Sequence, residues 1–124
     1  MHLAYWAVLV AGLMPVATIA IAKAQRSYNN SDPRTWLERQ QGFRRRADFA
    51  HRNHFEAFPF FAAAVLIAQQ VQAAQTSIDH LAMGFIAARL AYTACYLADL
   101  AVLRSLAWFV GHGCIVALFI IAAK

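Results

Sequence analysis

Residues 3–22 read LAYWAVLVAGLMPVATIAIA, a stretch without a charged side chain. A helix in a soluble bundle needs one polar face, and no rotation of this segment supplies one. A hydrocarbon core of roughly 30 Å is crossed by about 20 helical residues, so the stretch reads as a membrane span. The same pattern recurs along the chain. Its 124 residues are 61% hydrophobic, with a mean hydropathy of +0.47, and the apolar positions gather into four blocks at about 3–22, 48–70, 78–98 and 106–123. The expectation is a single all-α domain over residues 1–124, an integral membrane four-helix bundle, and a soluble bundle is disfavoured by the apolar first block.

The first block ends in AKA at 22–24, a small-residue pattern of the kind a signal peptidase accepts, but no Lys or Arg stands at its amino end. It is read as a retained helix, kinked or packed at Pro15. The net charge is +5, and the basic excess lies in the segment from Lys23 to Arg52. Lys23, Arg26, Arg34, Arg39, Arg44, Arg45, Arg46 and Arg52 stand there against Asp32, Glu38 and Asp48. The positive-inside rule places this basic loop, 23–47, in the cytoplasm. VQAAQTS at 71–77 has no Lys or Arg and suits the opposite side, while Arg104 returns the third connection to the cytoplasm. Both termini are then expected to face away from the cytoplasm, despite Lys124, and a bacterial inner membrane is the expected location. Contact with anionic lipids is expected of such a loop, and no nucleic-acid motif accompanies it.

Within the loop, NNSDPRTWLERQQG at 29–42 reads as a turn and a short surface helix, with Ser31 or Asp32 as cap, Pro33 in the first position and Gly42 as its end. Cys95 and Cys114 lie inside spans at no disulfide or metal spacing and are read as small packing residues. His51 and His54 stand three apart near Glu56, but no further His or Cys ligand accompanies them, so interfacial hydrogen bonding is the expectation and no metal is assigned. His112 between Gly111 and Gly113 reads as a packing or subunit-contact residue, His80 as solvated, and Trp6, Trp36 and Trp108 as interfacial anchors.

Polar groups in the spans carry the functional information, because a charge near the bilayer centre costs at least roughly 2.5 kcal/mol without a partner. On the second span Arg45, Arg52 and Glu56 fall within about 40° of one another, with Arg46 and Asn53 beside them. On the third, Arg89, Tyr92, Thr93, Tyr96 and Asp99 share a stripe roughly 120° wide. Glu56 and Arg89 lie about eight and ten residues from the cytoplasmic ends of antiparallel helices, at similar depth, which predicts an ion pair between them.

RADFAHRNHFEAFPFF at 46–61 resembles the second-helix signature of the MAPEG family, the membrane-associated proteins of eicosanoid and glutathione metabolism. RLAYTACYLADLAVLRS at 89–105 is similar to the third helix and following loop of that family's glutathione transferases and eicosanoid synthases. The resemblance implies a homotrimer with glutathione bound between neighbouring subunits and a lipophilic substrate arriving from the membrane. Carried over by position, it implies that Arg52, Asn53, Glu56, Arg89, Tyr92 and Tyr96 line or support the glutathione site. Arg104, with Ser105 beside it, matches the arginine that activates the thiol, and Lys23 or Arg26 stands for a first-helix arginine.

Arginines suit the two carboxylates of glutathione, Glu56 suits its ammonium group, and a guanidinium favours the thiolate of a cysteine whose unperturbed pKa is near 8.5. The function implied is glutathione-dependent transfer or peroxide reduction on lipophilic electrophiles or lipid hydroperoxides. Phe49 replaces an arginine of the glutathione-using relatives, leaving that contact to Arg45 or Arg46 and favouring the alternative of a non-enzymatic lipid-binding or scaffold member. The spacing from Tyr96 to Arg104 differs by about one residue from some relatives, and Trp108 takes a position where a tyrosine is expected. A small four-span transporter is a third reading, weakened because the first span lacks the carboxylate such exporters use.

Overall fold

The apolar blocks become four long helices, α1 (Leu3–Lys23), α3 (Gly42–Gln70), α4 (Gln75–Leu97) and α5 (Ala101–Ala122), with a short α2 (Pro33–Glu38) before α3. The structure is a computed structural model and describes residues 1–124. No strand is present. α1 packs along α3 and α4 along α5, while α3 also meets α4 and α5, and α1 meets α4. Small residues set these distances. On α1, Ala4, Ala7 and Ala11 form a buried stripe at helical spacing, continued by Met14, Thr18 and Ala22. The buried stripe of α3 runs Ala50, His54, Ala57, Phe61, Ala64 and Ala68. Phe61 stacks on Phe85 of α4 with ring centroids 3.9 Å apart, at the centre of the core.

Pro15 does not break α1; it lies fully buried within a continuous helix. Gly111 is buried where an added Cβ would meet Ala88 at 3.6 Å, so it brings α5 close to α4, whereas Gly113 faces open space. His112 turns back on its own helix, its Nδ1 bonding the Trp108 carbonyl at 3.1 Å and its ring stacking on Trp108 at 3.8 Å, with the Phe60 ring of α3 at 6.5 Å.

The basic residues extend helices that hydropathy alone ends too soon. α3 begins at Gly42 instead of about 48, and α5 at Ala101 instead of about 106, because arginine is a good helix former although it is not apolar. Gly42, expected to end the short helix, is the first residue of α3 and takes φ +63°. Asp32 precedes α2 with Pro33 in its first position, but neither Asp32 nor Ser31 caps it through a side chain. Asp99, placed by periodicity on the third span, lies beyond α4 at φ +60°.

Two arginines close the helix ends at this side of the molecule. Arg44 donates from Nη1 to the carbonyls of Ile21, Ala22 and Ala24 at 3.2–3.3 Å, and Arg46 donates to the Leu97 carbonyl at 3.1 and 3.2 Å. They satisfy carbonyls that a helix C-terminus leaves without partners. At the other end the Asp79 carboxylate accepts the Ala4 amide at 2.8 Å. Successive long helices are therefore antiparallel.

Large apolar side chains such as Leu13, Val16, Leu66, Leu90, Phe109, Val110 and Val116 are exposed around the outside. α1 and α5 are long and apolar enough to cross a membrane. α3 and α4 are of similar length, and the polar residues that interrupt them assemble the features described next.

Candidate functional site

The centre of the polar assembly is Arg89 on α4, 1% exposed. Its Nη1 donates to Asn53 Oδ1 at 2.9 Å, and its Nε and Nη2 reach His54 Nδ1 at 3.3 and 2.9 Å. With Nδ1 accepting, the His54 proton sits on Nε2 and is donated to Thr93 Oγ1 at 2.9 Å; Thr93 in turn donates to the Arg89 carbonyl at 2.9 Å. The ring of bonds is closed, and the Tyr92 ring covers the guanidinium at 4.2 Å.

The expected ion pair between Glu56 and Arg89 is not formed. Glu56 is two residues past His54, about 200° around the helix, so its side chain leaves the α4 side and is exposed. Asn53 bridges the two, donating to Glu56 Oε2 at 3.0 Å while accepting from Arg89. Depth was matched by the sequence; azimuth selected a different partner.

From Arg89 the string continues along α4. Tyr92 meets Tyr96 edge-on with centroids 5.5 Å apart, and the Arg104 guanidinium of α5 lies over Tyr96 at 4.5 Å. Tyr92, Tyr96, Arg104, Ser105, Trp108 and Phe109 line a cleft of about 210 Å³ between α4 and α5. Arg104 and Tyr96 thus face the same cleft. Trp108, expected as an interfacial anchor, forms part of the wall.

The α3 candidates open onto another surface. Arg52, 54% exposed, pairs at 2.9 Å with Asp48, which is almost wholly buried. Phe49 is 37% exposed, with the Arg45 guanidinium 5.2 Å and the Arg52 guanidinium 6.0 Å from its ring centre. These residues line a cleft of about 190 Å³ shared with Leu37 and Glu38 near α2. Arg45 lies against Phe49 in this cleft. Arg46 does not line it and is turned inward to the Leu97 carbonyl. Lys23 stands over the Tyr28 ring at 5.2 Å and Arg26 is exposed in the loop; neither lines either cleft.

The structure thus divides the candidates. Tyr92, Tyr96, Arg104 and Ser105 share one cleft, Arg52 lines the other, and Asn53 and Glu56 line neither, Asn53 meeting Arg89 and Glu56 meeting Asn53. His54, Thr93 and Asp48, read from sequence only as an interfacial histidine, a stripe residue and a loop charge, are the partners of Arg89 and Arg52. His54 falls on the stripe of Ala50, Ala57 and Phe61, a spacing that identifies it as a core histidine. His51 points elsewhere, its Nδ1 donating to the Pro15 carbonyl at 2.8 Å.

A family model described as MAPEG family matches residues 3–124. Comparison with curated proteins and with solved structures finds no match.

Proposed function

The chain belongs to the MAPEG family, a family of membrane proteins of eicosanoid and glutathione metabolism, and from that premise we propose that it is a four-span, glutathione-dependent transferase or peroxidase acting as a homotrimer. The observation that carries this reading is the division of the candidate residues between two faces. Each cleft is smaller than the roughly 300 Å³ usual for a small-molecule site, so one chain supplies only part of a wall. In a trimer the α4–α5 face of one subunit meets the α3 face of the next, and the two half-sites form one pocket.

The donor set fits glutathione. Arg45 and Arg52 supply permanent charge for its carboxylates, and exposed Glu56 accepts from its ammonium group. Tyr96 holds the Arg104 guanidinium in the opposite half-site, where it stabilises a thiolate. Glutathione supplies the nucleophilic sulfur. Its thiol proton leaves to water, the sulfur forms a bond to the electrophilic carbon, and the leaving group departs with the electron pair of the broken bond. Trp108 and Phe109 offer the apolar side of the same cleft to a lipophilic substrate arriving through the bilayer. The basic end faces the cytoplasm in this arrangement, with both termini opposite.

Exposed Phe49 favours a second reading, a non-enzymatic lipid-binding member, and one experiment separates the two. Glutathione binding and conjugation of 1-chloro-2,4-dinitrobenzene are measured on the purified protein, with Arg104→Ala and Glu56→Ala as controls. Turnover that falls in both variants supports the enzyme. Absence of binding at millimolar glutathione eliminates it and leaves the lipid-binding reading.

A further inference from the structure

On the other side of α4 from the Arg104 cleft lies a second cavity, of about 310 Å³, between α1 and α4. Met14 and Ile21 of α1 and Leu90, Ala94 and Leu97 of α4 form its walls. The polar groups in its floor are already engaged: Thr18 donates to the Met14 carbonyl at 2.7 Å, and His54 and Thr93 belong to the closed ring around Arg89. To a ligand the cavity is a hydrocarbon slot. From Leu90 to Leu97 it runs about 10 Å along the helix axis.

Two cations stand at the helix ends where the walls of the slot stop. Ile21 and Leu97 are the last residues of its two walls, and the carbonyls of these same residues accept from Arg44 and Arg46. Neither guanidinium is used up. Arg44 bonds only through Nη1, and Arg46 through Nε and Nη2, so each keeps N–H groups for an anion. Both side chains are half-buried. An apolar slot with two permanent charges at the helix ends just beyond it is complementary to an acyl chain joined to a phosphate. A neutral hydrocarbon would leave the arginines unused, and a soluble anion would leave the slot unused.

We propose that the α1–α4 groove binds an anionic glycerophospholipid, one acyl chain lying in the slot and the phosphate bridging Arg44 and Arg46. The bound lipid ties the end of α1 to the end of α4 and lies against the outer side of His54 and Thr93. This site is independent of glutathione and of any activity at the Arg104 cleft.

The test uses the full-length protein, delipidated in detergent, and native mass spectrometry with phosphatidylglycerol and phosphatidylcholine of identical acyl chains. One tightly held phosphatidylglycerol per chain is expected, preferred over phosphatidylcholine on the order of tenfold. Arg44→Gln and Arg46→Gln should each remove most of that preference. Because these arginines also close helix ends, Ala94→Trp provides a second variant. It fills the slot from an exposed position, keeps both charges, and should reduce retention of both lipids. Equal retention of the two lipids by the wild-type protein would overturn the proposal, as would undiminished preference in both arginine variants. Stabilisation by soluble glycerol phosphate equal to that by phosphatidylglycerol would overturn it in favour of a simple anion site. A change of oligomeric mass in Ala94→Trp, with lipid retention intact, would assign the groove to a second copy of the chain instead.

Discussion

Arg89 and Arg104 are the two arginines nearest the aromatic pair of α4, and their surroundings are opposite. Arg89 is buried, donates to Asn53 and His54, and is covered by Tyr92. Arg104 rests on the face of Tyr96 in an open cleft, and no acceptor on the protein takes its side-chain N–H groups. A guanidinium whose donors are all turned to the protein holds helices together; one whose donors are left open is available to a ligand. The same side chain is thus engaged in packing in one place and left open in the other, and residue type alone does not distinguish them.

The sharpest way to break this contrast is to remove the open arginine. Arg104→Ala should lower turnover on the order of a hundredfold, the effect of losing one preorganised charge stabiliser, while the melting temperature in detergent stays at the wild-type value. A loss of stability comparable to the loss of activity would show that Arg104 is structural after all. Arg89→Ala should behave in the reverse sense. It leaves His54 Nδ1 and Asn53 Oδ1 without their donor and opens a cavity, so a stability loss of about 3 kcal/mol is expected in denaturant titration, with activity falling only as the folded fraction falls.

A smaller effect separates two neighbours that look alike in sequence. Arg45→Ala should weaken glutathione binding about tenfold, as loss of one charge-assisted contact, measured by calorimetry. Arg46→Ala should leave that affinity unchanged and instead lower stability by about 1 kcal/mol, since its acceptor is the Leu97 carbonyl. The smallest expected effect is that of Glu56→Gln. A glutamine still accepts from Asn53, and there is no direct pair with Arg89 to break, so the thermal midpoint should shift by an amount worth less than about 1 kcal/mol. A large drop would restore the ion pair that the geometry does not contain.

These differences mark how far the sequence carries. The four apolar blocks are legible as four helices because burial and bilayer exposure both select apolar residues. The starts of α3 and α5 are not, because arginines extend a helix without adding hydropathy. Gly42 illustrates a finer ambiguity. α2 ends at Glu38 and α3 begins at Gly42, so a left-handed glycine between them suits the end of one helix and the start of the next equally well. Within the site, helical periodicity puts Tyr92 and Tyr96 in one cleft with Arg89 beside Tyr92, while Thr93 turns to the α1–α4 side. His54 reads from its spacing to His51 as an interfacial histidine, and its place in the core is recognised only once the apolar face of α3 is followed residue by residue. The pairing of Arg45, and not Arg46, with Phe49 follows from which way each side chain turns at the end of α4, a tertiary fact with no local signature.

Arg44 and Arg46 have a bearing on how the protein is made. Positive charge between the first two spans acts during insertion, when it holds the loop on one side of the bilayer before any tertiary contact exists. In the folded chain the same two residues grip the backbone ends of α1 and α4. For a chain inserted with this loop in the cytoplasm, the signal that orients the nascent protein becomes the fastener of the finished one. A molecule threaded the wrong way round would leave those fasteners on the side where the translocation machinery resists them. In that orientation one pair of side chains serves both insertion and tertiary closure.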